Sequence, residues 1–141
     1  MEKITDLLSK RELFFVNNET TIKDTVYYMA EKGIGLVPVM DSGRLVGVLS
    51  ERDLVKRVLA KNKNLDETTV DEVMSSNLII AETHEANESI LAKMKEAKIR
   101  HILVIENDKL IGVLSMRDLL ELDLSVAKMT VEVLNNYIYS K

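Results

Sequence analysis

A Ser-x-x-Asp pattern occurs twice in the sequence, and its side chains could bind a ligand. Ser50 and Asp53 form the first copy, Ser115 and Asp118 form the second, and an arginine precedes each aspartate. Because a carboxylate has two oxygens, each aspartate could accept hydrogen bonds from two donor groups of a ligand. The same pattern is also an ordinary helix N-cap, in which the aspartate favours the helix dipole. The pattern alone therefore leaves two interpretations open, a ligand contact and a helix cap.

The two copies belong to an internal repeat that covers most of the chain. Leu45–Leu54 (LVGVLSERDL) recurs as Leu110–Leu119 (LIGVLSMRDL) without a gap, and residues 5–58 match residues 70–123 at this same spacing. Units of about 60 residues are small for independent stability. We therefore expect two pseudo-symmetric units that bury a shared face.

Each repeat carries signals for the element order β-α-β-β-α. In the first repeat a helical pattern runs from Thr21, a typical N-cap, to Lys32, and Gly33 is placed to end it. Ser50 and Ser115 stand where a strand passes into a helix, which puts each aspartate in the first turn. The apolar runs predict these strands: Leu13–Val16, Leu36–Met40, Leu45–Leu49, Leu78–Ala81, Ile102–Ile105 and Leu110–Leu114. The fold class is therefore α+β.

Two segments lie outside the repeated pattern. Lys61–Thr69 is a polar connection, which divides the chain into residues 1–63, 64–123 and 124–141. In the last of these, an amphipathic helix is predicted from Val126 to Tyr139. One apolar stripe is expected to contain Val126, Met129, Val133, Tyr137 and Ile138. The repeat does not indicate what this helix packs against.

Composition narrows the functional classes. The chain has 141 residues, 46% of them hydrophobic, a net charge of −4, two histidines and no cysteine. These values favour a folded protein and exclude disulfides and thiolate metal sites. The apolar runs are too short to span a membrane, and the N-terminus does not resemble a signal peptide, so we expect a cytoplasmic protein without a membrane partner. The negative charge makes nucleic-acid binding a weak hypothesis.

The repeated pattern resembles the cystathionine-β-synthase (CBS) domain family. The resemblance rests on Met29 and Ile34 at a helix end, the strand Leu36–Val39, and the segment Leu45–Leu54, each with its counterpart in the second repeat. It covers residues 5–123 and takes the form of a tandem pair, the Bateman module. It implies two CBS units packed through their sheets, with the C-terminal helix added, and a homodimer. It also implies a regulatory module, not an enzyme, that needs no cofactor and binds AMP, ADP or ATP, with S-adenosylmethionine as an alternative.

The resemblance further implies two clefts, in each of which the aspartate of one unit works with the opening strands of the other. The stronger cleft would combine a ribose anchor with a phosphate clamp and contain Ser50, Arg52, Asp53, Ile79, Ile99, Arg100 and His101. The weaker cleft would contain Phe14, Ile34, Gly35, Leu36, Ser115, Arg117 and Asp118. Its opening strand has no basic residue, so we expect it to bind weakly, stay empty or take a less charged ligand. In the alternative interpretation, the basic pair of the second repeat lies on a solvated strand edge.

Three further interpretations remain open. The chain could be a scaffold for an unidentified effector protein, with vestigial clefts and a functional C-terminal helix. An acidic cluster at a helix start could hold a metal, although such carboxylates also favour the helix dipole; it contains Glu82, His84, Glu85 and Glu88. A basic stretch after the first motif is expected to be a solvated helix end; it contains Lys56, Arg57, Lys61 and Lys63. No phosphate-binding loop or nucleophile motif of an enzyme is found.

Overall fold

The structure, a computed structural model, describes residues 3–122 and 127–139. Its helices and strands follow the repeat, with extra helices at both ends. The first repeat contains α1 (Ile4–Ser9), β1 (Val16–Asn17), α2 (Ile22–Lys32), β2 (Leu36–Asp41), β3 (Arg44–Ser50) and α3 (Glu51–Asp53), which continues as a π-helix (Leu54–Leu59). A 3₁₀ turn (Val70–Glu72) precedes β4 (Ile80–Glu82), α4 (Asn87–Ala97), β5 (His101–Glu106), β6 (Lys109–Ser115), α5 (Met116–Leu122) and α6 (Ala127–Tyr139). The predicted α+β class and the C-terminal helix are confirmed.

Two three-stranded sheets have the same topology. In each, the first strand pairs in parallel with the second and the second pairs antiparallel with the third, in the orders β1-β2-β3 and β4-β5-β6. The register is irregular at Val39/Met40 in one sheet and at Val104/Ile105 in the other, which are equivalent positions of the repeat. The internal symmetry of the sequence therefore extends to the irregularities of the backbone.

Local signals in the sequence explain where the elements begin and turn. Thr21 Oγ1 accepts from the backbone N–H of Asp24, and Gly33 ends α2 in the left-handed conformation at φ 67°. Lys98 occupies the same position after α4, at φ 57°, although a side chain is strained there. The hairpin turns between β2 and β3 and between β5 and β6 each have two consecutive residues at positive φ, Ser42–Gly43 and Asn107–Asp108.

The chain forms two compact units whose limits differ from those of the repeat. The continuous unit contains Phe14–Leu78, and the split unit contains Met1–Leu13 together with Ile79–Lys141. Helix α1 packs against β6, and its Ile4 and Leu8 belong to the core that is otherwise built by the second repeat. A short helix before the first strand of the first repeat therefore completes the fold of the second.

The connection between the repeats joins the continuous unit. The Ile22 N–H donates to Thr68 O and the Val70 N–H donates to Thr20 O, both at 2.8 Å. Val70 and Val73 are then buried in the same core as α2 and β2. The second half of the predicted polar linker is therefore a fixed part of this unit.

Helix α6 packs on the split unit through a narrower face than the sequence predicts. Val133 is buried in its core and Leu134 packs against that core, whereas Tyr137 and Ile138 are exposed. Val126 and the side chain of Met129 lie outside the described residues. The predicted apolar stripe therefore contacts the core at Val133 but not at Tyr137 and Ile138, and Leu134, which the stripe did not include, packs inward beside Val133. None of the helices in the described ranges is both long and apolar enough to cross a lipid bilayer.

Candidate functional site

Ser50 and Asp53 form a reciprocal cap at the start of α3. The Asp53 N–H donates to Ser50 Oγ at 3.2 Å, and the Ser50 N–H donates to Asp53 Oδ2 at 3.0 Å. The other oxygen, Oδ1, has one charged neighbour among the described residues, Arg57, whose Nε lies 3.8 Å away. The helix-cap interpretation is therefore confirmed for this copy. Within the described part of the chain, Oδ1 thus has this ion pair but accepts no hydrogen bond.

Ser115 and Asp118 form the same cap, but here both carboxylate oxygens have a further partner. The Ser115 N–H donates to Asp118 Oδ2 at 2.8 Å. Arg11 Nη1 donates to Oδ2 at 3.0 Å and Arg11 Nη2 donates to Oδ1 at 2.7 Å. The contact is bidentate (two-pronged), which is the geometry in which arginine binds a carboxylate most strongly. The carboxylate that the sequence offers as a second ribose anchor is therefore occupied from within the split unit.

The difference between the two aspartates follows from one substitution between the repeats. Arg11 lies in the segment that joins α1 to the first strand, and its counterpart in the second repeat is Ser76. Serine carries no charge and is too short to form a two-pronged contact. Arg11 is not predictable as this partner from the sequence, because it precedes Asp118 by 107 residues and neither propensity nor spacing connects them. The available signal was the break in the repeat at this position.

The charges in the split unit shift two pKa values. Burial disfavours the ionised form of Asp118, but its hydrogen bonds with Arg11 and Ser115 outweigh this effect and lower its pKa below the usual range. Partial removal of water lowers the pKa of His101, and the positive charge of Arg100 lowers it further. Asp118 opposes that shift in part. The histidine therefore favours its neutral form.

The residues predicted for each cleft are divided between the two compact units. Of the stronger set, Ser50, Arg52 and Asp53 lie in the continuous unit, and Ile79, Ile99, Arg100 and His101 lie in the split unit. Of the weaker set, Phe14, Ile34, Gly35 and Leu36 lie in the continuous unit, and Ser115, Arg117 and Asp118 lie in the split unit. Both clefts remain predictions.

Within each unit, the opening of the middle strand lies beside the Ser-x-x-Asp segment. Leu36 pairs with Ser50, and Gly35 O accepts from the Glu51 N–H at 2.9 Å. In the split unit His101 pairs with Ser115 in the same way. Each unit thus presents the two halves of the family pattern at one end of its sheet.

The basic residues of the candidate site have different surroundings. The Arg100 guanidinium lies 5.2 Å from the centre of the Tyr137 ring, so α6 helps to hold it. Arg52 and Arg117 are exposed. Arg57 donates from Nη1 to the carbonyl oxygens of Val73 and Met74, at 3.2 and 3.1 Å. Arg57 is exposed, as expected for a solvated helix end, and its side chain also fastens the segment after the linker.

The acidic cluster of the second repeat is engaged in local contacts. Glu85 accepts a hydrogen bond from the Glu82 N–H at 2.7 Å and forms an ion pair with Lys93. Lys93 also donates to Ile80 O at 2.9 Å. The Glu82 carboxylate lies 3.2 Å from His84 Nε2. These contacts connect the end of β4 to α4.

Comparison with known proteins identifies the domain type. The family profile for the CBS domain matches residues 4–60 and 70–125. A solved CBS-domain containing protein from Agrobacterium tumefaciens superposes with a TM-score of 0.75 at 27% identity, covering 86% of this chain and 98% of that one.

Curated relatives give the same result. The CBS domain-containing protein YhcV of Bacillus subtilis is 27% identical over 119 residues, which are 84% of either chain. An uncharacterized protein of Methanopyrus kandleri is 31% identical over 118 residues, or 82% of this chain, but the match spans only 60% of its length. The match to CBSCBSPB5 of Arabidopsis thaliana is 33% identical over 102 residues, or 72% of this chain and 19% of that one. The chain belongs to the CBS domain family and carries two CBS domains in tandem.

Proposed function

We propose that this chain is a regulatory module that binds an adenine nucleotide through the ribose hydroxyls at Asp53, without catalysing a reaction. The observation that carries the proposal is that one oxygen of the Asp53 carboxylate accepts no hydrogen bond from the described residues. Oδ2 is held by the Ser50 N–H, while Oδ1 faces only Arg57 Nε at 3.8 Å among the described residues. The side chain is 12% exposed, so it is fixed in place and still reachable. A fixed acceptor of this kind suits a diol, which supplies two donors.

The Asp118 carboxylate is a poorer ribose anchor for the same physical reason. A diol would have to displace the Arg11 guanidinium, which donates two hydrogen bonds to a side chain only 9% exposed. Exchanging a charged partner for neutral hydroxyls weakens the hydrogen bonds on this carboxylate. We therefore expect one nucleotide to bind tightly per chain.

The phosphate is assigned to Arg100 and His101, with Arg52 as a further cation. Phosphate is a strong acceptor for a guanidinium and stabilises the protonated form of a neighbouring histidine. Since the pKa of His101 is lowered in the unliganded protein, nucleotide binding should take up a proton near neutral pH. Binding would regulate a partner through its different affinity for two conformations of the module.

Calorimetric titration with AMP tests the assignment with a matched pair of variants. Asp53→Asn should weaken binding by about 10- to 150-fold, the value of a hydrogen bond to a charged group. The control Asp118→Asn removes the equivalent carboxylate and should leave the tight site within about twofold. Equal losses in both variants, or none in Asp53→Asn, would refute the choice of Asp53.

Arg100→Ala separates the phosphate from the ribose. This substitution should weaken the binding of AMP and ADP while sparing adenosine, because only the nucleotides carry the group that Arg100 contacts. Equal losses for all three ligands would contradict a phosphate role. S-adenosylmethionine is included as a competitor of AMP. If S-adenosylmethionine displaces AMP when it is present at a lower concentration than AMP, it is the better ligand.

A protein-interaction scaffold is the second candidate, and the surface of α6 favours it. Val131, Tyr137 and Ile138 are exposed on this helix, which lies outside the repeat. Thermal unfolding separates the two functions. A ligand at 100 times its Kd stabilises by about 2.7 kcal/mol. An unfolding midpoint that stays unchanged with every adenosine compound would favour the scaffold.

A homodimer is proposed from a second apolar surface, in the continuous unit. Val55 and Leu59 on the π-helix are 57% and 61% exposed. An isologous contact would cover them in both copies. Sedimentation should show a dimer that Val55→Asn with Leu59→Asn converts to monomers. The control Val131→Asn with Ile138→Asn should leave the dimer intact, and a monomeric wild-type protein would refute the proposal.

A further inference from the structure

A cavity of about 500 Å³ lies in the split unit, at the junction of α4, the start of β5 and α6. Its inner wall is apolar and includes Met94, Ile99, Met116, Val133 and Leu134. Two of these side chains come from α6, so the cavity exists because the C-terminal helix packs there. Its volume falls within the range of small-molecule sites, about 300–1,000 Å³.

The mouth of this cavity, named here the α6 cavity, is positively charged. Lys95, Lys98 and Arg100 line it, and among the residues that the structure describes no aspartate or glutamate does. Within residues 3–122 and 127–139, none of the three forms an ion pair with a carboxylate. The contact between Arg100 and the ring of Tyr137 holds one cation at the rim. Three unneutralised cations are unexpected in a chain of net charge −4.

The equivalent depression in the first repeat provides an internal comparison. It has a volume of about 330 Å³ and retains the apolar residues Met29 and Ile34. At the positions of the three cations, however, it has Ala30, Gly33 and Gly35, and Glu51 stands where the second repeat has Met116. Beside a similar apolar wall, the first repeat thus has one carboxylate and no cation, whereas the second has three cations and no carboxylate among the described residues. Packing alone does not require that reversal, which would suit a ligand with an anionic head group.

We propose that the α6 cavity binds a single-chain amphiphile whose anionic head lies at Lys95 and Lys98 and whose chain lies against Met94, Met116 and Leu134. This goes beyond the proposed nucleotide site and does not depend on it. The cavity shares Ile99 and Arg100 with the residues assigned to the nucleotide, but Lys95 and Lys98, which are substituted below, are not among those residues. Failure of one proposal is therefore distinguishable from failure of the other.

The test is a titration of the full chain with hexanoate, octanoate and decanoate below their micellar concentrations. Binding is followed by calorimetry and by the ¹³C-methyl NMR signals of Met94 and Met116. Because each buried methylene contributes about 0.8 kcal/mol, affinity should rise about fourfold per methylene. Decanol should bind more weakly than decanoate, since it lacks the charge. Decyl phosphate distinguishes the head groups, and tighter binding than decanoate would identify an alkyl phosphate as the preferred amphiphile.

Two variants identify the parts of the site. Lys95→Ala with Lys98→Gly restores the residues of the first repeat, and should weaken decanoate about tenfold while sparing decanol and AMP. Lys98 has positive φ, so glycine is well tolerated there and the variant should fold. Leu134→Trp fills the cavity and should abolish the methyl shifts of Met94 and Met116.

Several results would overturn the proposal. These are unchanged methyl signals in the wild type, an affinity independent of chain length, and equal affinities for decanol and decanoate. The proposal would also fail if the wild-type chain self-associates and does not bind decanoate, while the lysine double variant no longer self-associates. The cavity would then be covered by a second copy of the chain.

Discussion

Removal of the Arg11 side chain should destabilise the protein, because the Asp118 carboxylate then loses its charged hydrogen-bond partner. In Arg11→Ala, a carboxylate that is 9% exposed loses two hydrogen bonds of 2.7 and 3.0 Å. Loss of one partner from a fully buried ion pair costs about 3–5 kcal/mol, and an exposed pair contributes less than about 1 kcal/mol. Here the arginine is 43% exposed, so water reaches the pair and screens it. The Ser115 N–H also remains on the carboxylate. We therefore expect a loss of about 1–2 kcal/mol.

Thermal and urea unfolding measure this loss, and a double-mutant cycle assigns it. For a chain of this size, the midpoint should fall by about 2–4 °C per kcal/mol. Arg11→Lys, which keeps the charge but not the two-pronged geometry, should lose less. In the cycle of Arg11→Ala with Asp118→Asn, the coupling should be about 1 kcal/mol. Additive effects of the two substitutions, or an unchanged Arg11→Ala protein, would refute the reasoning.

The same pair determines the acid dependence of stability. Because the folded state lowers the pKa of Asp118, its stabilisation is complete above the ordinary aspartate pKa of about 3.9. It is lost as the pH falls through the lowered value in the folded protein. Wild-type and Arg11→Ala proteins should therefore differ most above pH 4 and converge in stronger acid. A difference that stayed constant down to pH 2 would show that the pair is not responsible.

Four other substitutions test the fold. Lys98→Gly should stabilise the protein by about 0.5–1 kcal/mol in urea unfolding, because φ is positive at this position. Lys95→Gly within α4 should destabilise the protein by about 1 kcal/mol. The opposite order of stabilities would contradict the assigned helix end. Gly47→Ala should cost about 1–3 kcal/mol, since a Cβ would lie 2.3 Å from Met74 Sδ, and an unchanged midpoint would mean that this contact yields freely. Because the pKa of His101 is lowered in the folded protein, the histidine binds a proton more tightly in the unfolded chain. The free energy of unfolding should therefore rise as the pH increases towards about 6.5, the ordinary histidine pKa. His101→Gln should remove that rise.

The sequence predicts the parts of the fold that depend on neighbouring residues. Gly33 and the turn at Asp41–Gly43 have backbone requirements that a few residues satisfy, and Ser50 caps its helix through a partner three positions away. The spacing of the repeat then transfers each of these features to the second half.

Features that depend on distant residues could not be predicted in the same way. The first strand is Val16–Asn17, not Leu13–Val16, because its length depends on pairing with β2. Helix α1 was not predicted, since its two buried residues become a core only beside β6. The occupation of Asp118 by Arg11 requires the same long-range packing, so the sequence indicates two similar aspartates where the structure has two different ones.

The placement of α1 in the split unit has a consequence for the order of folding during synthesis. The continuous unit is complete once Leu78 has left the ribosome, but the split unit also needs residues up to α6, which come later. Domains fold as they emerge, and synthesis proceeds at about 5–20 residues per second. Ile4 and Leu8 must therefore wait several seconds for their partners while the continuous unit is already folded. The earliest residues of the chain are thus among the last to become buried, and Arg11 reaches Asp118 only at that final stage.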